Sequence, residues 1–202
     1  MEGIKENTRN AILDSALELF LKNSIKKTKI KDVADHAKVG EATVYRYFSN
    51  KDNLVMQASA KLADGIFKEY FVDYSGKNGY EAMQSFYYSF LRVFKSRAGY
   101  YVFVEELDSI LAGFSSEVKI SYEDSVDNFK EIFDKLYYMG LSDGSINELC
   151  DKETFYYSTT HSLMSLCQKL SIRGNLLSKD LMTSKEKEIE QLTNIILSKL
   201  KK

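Results

Sequence analysis

Three observations predict an all-α fold. The 202 residues include no proline, the residue that most disrupts helices, where average usage would supply roughly ten. Apolar residues recur at the helical period through most of the chain, and alternation over five or more residues, the mark of a half-buried strand, is hard to find. The ten glycines, at 3, 40, 65, 76, 79, 99, 113, 140, 144 and 174, mostly separate the periodic segments, as expected where helices end and a positive φ becomes cheap. About nine helices and no strand follow from this pattern.

The first helix covers residues 9–22, with Ile12, Ala16, Leu19 and Phe20 on one stripe and Thr8 as N-cap. A short second helix, 29–37, buries Ile30, Val33, Ala34 and Ala37, and Gly40 precedes a third over 41–48. Ser49, Asn50, Lys51 and Asp52 open a long fourth helix, 52–73, with Leu54, Ala58, Leu62, Ile66 and Tyr70 along one side. Five more fall at 80–97, 100–113, 116–139, 152–172 and 184–201.

Composition bounds the function. Lys and Arg number 28 against 29 Asp and Glu, a formal charge of −1, with 44% hydrophobic and 28% charged residues. This is a globular mixture and not a polycationic tail, so any nucleic-acid surface must be a local patch. Two cysteines, Cys150 and Cys167, make neither a disulfide framework nor a four-cysteine zinc site. No apolar run approaches the roughly 18 residues of a membrane span, and the opening Met1-Glu2-Gly3-Ile4-Lys5-Glu6 lacks the apolar core of a signal peptide. A soluble cytoplasmic protein with no membrane association is expected.

Charge and aromatic content divide the chain near residue 53. Residues 24–51 hold seven basic and three acidic side chains, whereas 22 of the 26 Phe and Tyr lie after residue 53. A small basic module, 1–50, and a larger aromatic helical body, 51–202, are the expected domains.

The segment from Lys31 to Phe48 reads as helix, tight turn, helix. Ala34 and Ala37 permit a close helix crossing, Val39 plugs the corner, and Val44 and Phe48 bury the inner face of the following helix. Glu41, Ala42, Thr43, Tyr45, Arg46 and Tyr47 remain outside. These are groups that contact phosphates and base edges in a major groove, so the pattern is that of a helix-turn-helix. A Tyr-x-Tyr-Phe block at helical spacing is by itself ordinary core. The basic patch, the complete three-helix pattern and its place ahead of a larger body decide for DNA.

Over residues 9–54 the chain resembles the tetracycline-repressor (TetR) family of bacterial transcription factors. The resemblance is carried by Arg9-Asn10-Ala11-Ile12-Leu13-Asp14-Ser15-Ala16-Leu17-Glu18-Leu19-Phe20, by Thr28-Lys29-Ile30-Lys31-Asp32-Val33-Ala34, and by Thr43-Val44-Tyr45-Arg46-Tyr47-Phe48-Ser49-Asn50-Lys51-Asp52-Asn53-Leu54. It implies an all-α protein with an N-terminal three-helix helix-turn-helix and a C-terminal helical ligand-binding and dimerisation domain. It also implies DNA contacts from Thr28, Lys29, Lys31, Glu41, Ala42, Thr43, Tyr45, Arg46, Tyr47 and Lys51. Thr43, Tyr47 and Lys51 would meet phosphates, Tyr45 base edges or methyl groups, and Lys31, Glu41, Ala42 and Arg46 would read sequence. The chain departs from the family in Lys38, where a turn glycine is usual, in Lys29, where a threonine is common, and in the acidic Glu41.

In the body, Phe86, Tyr87, Phe90, Phe103, Leu107, Phe129, Phe133 and His161 are candidates for a small-molecule effector pocket, since a cavity wall of tyrosines offers apolar area with polar tips. For any single one of them, ordinary core is the simpler reading. The effector is expected to be largely apolar or aromatic. Phe155, Leu163, Leu166 and Leu170 on one late helix, with Ile189, Leu192 and Ile196 on the last, make stripes broad enough for a two-fold four-helix homodimer interface.

Enzyme readings fare poorly, and no cofactor or metal is expected. The phosphate-loop, dinucleotide, nucleophile-elbow and zinc-protease motifs are all missing. His161 and Cys167 are spaced onto different helix faces. Of the acids Glu105, Glu106 and Asp108, the first and last belong to a solvated face, while Glu106 lies near the apolar boundary, within reach of a cationic ligand. Two readings remain. One is a ligand-responsive transcriptional regulator, most simply a repressor released from a palindromic double-stranded DNA operator by its effector. The other is a protein of the same fold whose body binds a partner protein.

Overall fold

The computed structural model describes residues 2–75, 77–173 and 183–202. They form α1 (Glu2–Asn23), α2 (Ile30–His36), α3 (Glu41–Phe48), α4 (Lys51–Tyr70), α5 (Gly79–Leu111), α6 (Ser116–Ser142), α7 (Lys152–Arg173) and α8 (Lys185–Leu200). Among the described residues the only β-type pairing is the isolated bridge between Ile146 and Lys201. The all-α expectation holds. The fifth and sixth expected helices are the two halves of α5, which breaks at Arg97 (φ −137°, ψ 41°), so the described residues hold nine helical segments.

Helix ends moved where local signals competed. α1 starts at Glu2 and not near residue 9, so Thr8 lies inside the helix and is not its N-cap. Glycine does not end a helix at every position where it stands between periodic segments. Gly99 sits inside α5, because a mid-helix glycine costs only about 1 kcal/mol relative to alanine and breaks nothing by itself. Gly140 is internal to α6, which ends at Ser142, just ahead of Gly144 in the left-handed region (φ 74°). The last helix, expected over 184–201, runs from Lys185 to Leu200, and the Ser184 hydroxyl caps it, accepting from the Lys187 N–H at 3.2 Å.

Packing divides the chain into two compact units, residues 1–65 with 103–126, and residues 66–102 with 127–202. This differs from the expected division between 50 and 51. The first half of α4 and the segment 103–126 bury their apolar residues with the N-terminal helices, because α1 with the two short helices α2 and α3 supplies too little core of its own. In this first unit Ile12, Leu13, Ala16, Phe20, Val33, Val44, Phe48, Leu54 and Leu107 are buried. Lys61 pairs with Asp14 at 2.5 Å, and Arg9 donates to the Gln57 side chain while its guanidinium lies 5.6 Å from the Phe48 ring centre.

The second unit is built on aromatic edges. Phe71 meets Phe86, Phe90 and Phe129 at ring separations of 5.5, 5.6 and 4.9 Å, all close to perpendicular. Phe133 lies 4.9 Å from Tyr156. Edge-to-face pairs of this kind add about 0.5–1.5 kcal/mol each beyond area burial. α6 and α7 are joined by a charge lattice. Lys130 bonds Asp134 at 2.5 Å and Glu153 at 3.1 Å, and Lys152 bonds Glu153 at 2.9 Å and also Asp134. Burial works against ionisation of Asp134, but the hydrogen bonds from Lys130 and Lys152 outweigh it and hold the carboxyl below its ordinary range.

The start of α5 lies against the end of α6 at two glycines. A Cβ built on Gly79 would stand 2.1 Å from the Gly140 Cα, and the Gly79 N–H donates to Asp143 Oδ2 at 2.7 Å. Gly79→Ala should therefore destabilise the protein by about 1–3 kcal/mol, since the obstacle is backbone. Gly65→Ala, in α4 with nothing within 4 Å of the new carbon, should stabilise by up to about 1 kcal/mol. Thermal unfolding of the two variants, falling below and rising above the parent respectively, checks both.

Candidate nucleic-acid interface

α3 has only eight residues, far fewer than an isolated helix needs in water. It forms because Val44 (0% exposed) and Phe48 (1%) are buried and because its start is fixed by the turn before it. That turn is a Schellman closure of α2. The Val39 N–H reaches back to the Ala34 carbonyl at 3.0 Å and the Lys38 N–H to that of Asp35 at 3.3 Å. Lys38, between them, has φ 55°, so the left-handed conformation expected from the missing turn glycine is present. Gly40 then precedes α3, its carbonyl accepting from the Thr43 N–H at 2.8 Å. At the other end of α2 the Asp32 carboxylate accepts from the Lys29 N–H at 2.7 Å.

With two residues buried, the rest of α3 faces out. Glu41, Ala42, Tyr45 (48% exposed) and Arg46 are exposed, and Thr43 and Tyr47 are half-buried. The Arg46 guanidinium rests 5.4 Å from the Tyr47 ring centre, which orients both groups. Lys29 and Lys31 are exposed, as are Lys26, Lys27 and Lys38. The two lysines at 26 and 27 were not singled out from the sequence, although the cluster of basic residues ahead of α2 carried the signal. His36 is exposed, its Nε2 3.5 Å from Glu18 Oε1.

Two DNA candidates are placed otherwise than expected. Thr28 is 2% exposed and its hydroxyl donates to the Ser24 carbonyl at 2.8 Å, so it closes the α1–α2 turn and has no face toward a ligand. Lys51 is half-buried, with Nζ donating to the Ile25 carbonyl at 2.7 Å. Burial lowers its pKa, opposed by the nearby carboxylates of Glu106, Asp52 and Asp32. Glu106 does not await a cation as expected. Its Oε2 accepts from the Ile25 N–H at 2.8 Å and its Oε1 from the Lys26 N–H at 2.9 Å. Glu105 and Asp108 are exposed, as expected.

The pocket candidates separate. Phe86, Tyr87, Phe90, Phe129 and Phe133 belong to the second unit, and Phe103 and Leu107 to the first. Tyr87 is fully buried, its hydroxyl 2.7 Å from Thr159 Oγ1, and burial pushes its pKa up. His161 is exposed and lies 5.8 Å from the Tyr157 ring, so it lines no interior wall. Cys167 is buried and burial raises its thiol to about 12.

The interface stripes are corrected more sharply. Leu163, Leu170, Ile189 and Ile196 are buried within the chain itself, so they are core and cannot meet a second copy. Phe155, Leu166 and Leu192 are half-buried. The outward faces of α7 and α8 carry Tyr157, His161, Ser165, Ile172 and Ile195 instead. A periodic stripe shows that a helix has an apolar face without saying what covers it.

Residues 12–58 match the family model described as bacterial regulatory proteins, tetR family. The uncharacterized HTH-type transcriptional regulator YvkB of Bacillus subtilis (strain 168) is 44% identical over 48 residues, 24% of this chain and 25% of that protein. The match thus spans about a quarter of the length of this relative. Solved structures extend the likeness along the chain. A transcriptional regulator from Saccharomonospora viridis in complex with choline superposes with a TM-score of 0.74 at 15% identity, covering 98% of this chain and 99% of that one. The regulator FadR from Bacillus subtilis in complex with stearoyl-CoA gives 0.66 at 15% identity, covering 94% and 97%. At such identities these structures show a shared fold.

The left-handed Lys38 carries a steric cost of about 1–2 kcal/mol that glycine avoids. Lys38→Gly should raise the melting temperature by about 2–4 °C, and Lys38→Val, branched at Cβ, should lower it. Thermal unfolding followed by circular dichroism reads both.

Proposed function

Because residues 12–58 match the family model of bacterial regulatory proteins, tetR family, we propose that the chain belongs to that family and is a ligand-responsive transcriptional repressor. In this reading it is a cytoplasmic, non-enzymatic homodimer that binds a near-palindromic operator and is released by a small, largely apolar or aromatic effector. The observation that carries the reading is the outward face of α3, where Tyr45, Arg46, Glu41 and Ala42 are exposed over the buried Val44 and Phe48. Inserted in a major groove, Arg46 offers a paired donor for guanine and Tyr45 an apolar contact with a donor tip. Glu41 would accept from a cytosine amino group. Thr43 and Tyr47 at the edges of that face, with Lys29 and Lys31 beside it, fit phosphates, which fix register without reading sequence.

Dimerisation is assigned to the outward faces of α7 and α8, where Tyr157, Ile172 and Ile195 expose apolar area beside the half-buried Leu166 and Leu192. Two copies of this helix pair give a two-fold four-helix interface. The effector reading rests on the aromatic cluster around Phe71, Phe86, Phe90, Phe129 and Phe133. It is supported by the stearoyl-CoA and choline held by the two structural neighbours. Both an acyl chain and a quaternary ammonium are groups that aromatic walls accept.

Selection from a random DNA library, followed by titration at several salt concentrations, tests the core of this reading. The expected result is a near-palindromic site bound with steep salt dependence; sequence-indifferent or salt-indifferent binding would refute it. Arg46→Ala should relax preference at one or two positions by about 1–3 kcal/mol, whereas Tyr47→Phe should weaken all sequences alike. Ile195→Asp should leave a folded monomer by light scattering, and the adjacent Ile196→Asp should unfold the chain, since only Ile195 is solvent-facing (54% against 6% exposed). A panel of acyl, aromatic and quaternary-ammonium compounds, scored for thermal shift and operator release, tests the effector.

A further inference from the structure

The turn between α1 and α2 is held by side chains from distant parts of the first unit. α1 ends at Asn23, Ser24 takes φ 91°, and α2 does not begin until Ile30. Within the turn, Ile25 is gripped from both sides of its own backbone. Its N–H donates to Glu106 on α5 and its carbonyl accepts from Lys51 at the start of α4. Glu106 also takes the next N–H, that of Lys26, so both carboxylate oxygens are occupied at 2.8 and 2.9 Å. The Ile25 side chain is buried beneath. Charge-assisted bonds of this kind are roughly twice as strong as neutral ones, and here an anion and a cation close on one peptide unit from opposite ends.

We infer that Glu106 and Lys51 form a clasp that positions the α2–α3 pair for DNA, and that the Lys51 ammonium is spent on the Ile25 carbonyl and not on a phosphate. The turn they fix leads directly into α2. Lys51 follows α3 after only Ser49 and Asn50, so the clasp ties together the entry to α2 and the exit from α3. Without it the reading-competent arrangement would be one of several, and apparent affinity would fall by its fractional population. The direct DNA contacts would be unchanged. This rests on the DNA-binding reading above.

The two roles for Lys51 predict different salt behaviour. A side chain that neutralises a phosphate contributes about 0.9 to the slope of log affinity against log salt, whereas a positioning residue contributes none. Purified full-length protein, Glu106→Gln, Lys51→Met, Lys51→Arg and the control Glu105→Gln are titrated with the selected operator at several salt concentrations. Amide hydrogen exchange at Ile25 and Lys26 is followed without DNA. The clasp predicts faster exchange at these two amides in Glu106→Gln and Lys51→Met, an affinity loss of about tenfold at unchanged salt slope, and recovery in Lys51→Arg. Glu105→Gln should resemble the parent. If Lys51→Met reduces the slope by about one with parental exchange, Lys51 is a phosphate ligand and the inference falls. It falls equally if Glu106→Gln leaves exchange and affinity unchanged. Should a variant fold poorly, exchange confined to the two amides still separates loss of the clasp from general unfolding. A parent protein that binds no DNA would refute the functional reading, while exchange at Ile25 and Lys26 would still judge the clasp.

Discussion

Burial of Val44 and Phe48 is the constraint on which the helix-turn-helix of this molecule depends. α3 is two turns long, and its intrinsic propensity cannot sustain it in water. Its helicity comes from packing on α2 and from the Arg9 guanidinium over the Phe48 ring. Once those two side chains point inward, the helical period forces Tyr45 and Arg46 outward. The exposed face is therefore a geometric consequence of the buried one. The Schellman turn does the same for direction: with Lys38 left-handed and Val39 bonded back to Ala34, the chain can leave α2 only toward the start of α3.

Charge is distributed so that a nearly neutral protein carries a stretch rich in exposed cations. The net charge is −1, yet Lys26, Lys27, Lys29, Lys31, Lys38 and Arg46 are all exposed on one short stretch of chain. The acids of this stretch are partly occupied in holding structure. Asp32 receives the Lys29 N–H, and Glu106, from α5, receives those of Ile25 and Lys26. Carboxylates bonded to backbone N–H groups at turns add order where a free carboxylate would repel phosphate. Lys51, the least exposed cation of this stretch, is drawn into the same internal network.

In the second unit, aromatic rings supply the packing and few charges enter it. Phe71 alone contacts three other rings edge-on, and two buried tyrosines pair their hydroxyls, Tyr87 with Thr159 and Tyr101 with the Phe90 carbonyl. The charge lattice of Lys130, Asp134, Lys152 and Glu153 sits at the margin of this core. Exposed ion pairs contribute little to stability singly, but a four-member network with shared partners loses less side-chain entropy per bond.

The sequence by itself determined the helical class, the helix-turn-helix and its outward residues. Those depend on contacts between residues close in the chain, where period, turn chemistry and side-chain size act together. It determined as well that α7 and α8 carry apolar stripes. Only the tertiary structure decided that Leu163, Leu170, Ile189 and Ile196 face inward while Ile195 faces out, because a stripe has the same period whether it meets the chain's own core or another surface. Only the tertiary structure, too, spent the Thr28 hydroxyl on a turn and brought Glu106 to Ile25 across 81 positions. Hydrogen bonds at such separation leave no periodic trace, since each depends on where two distant backbones come to lie and not on the residues beside them.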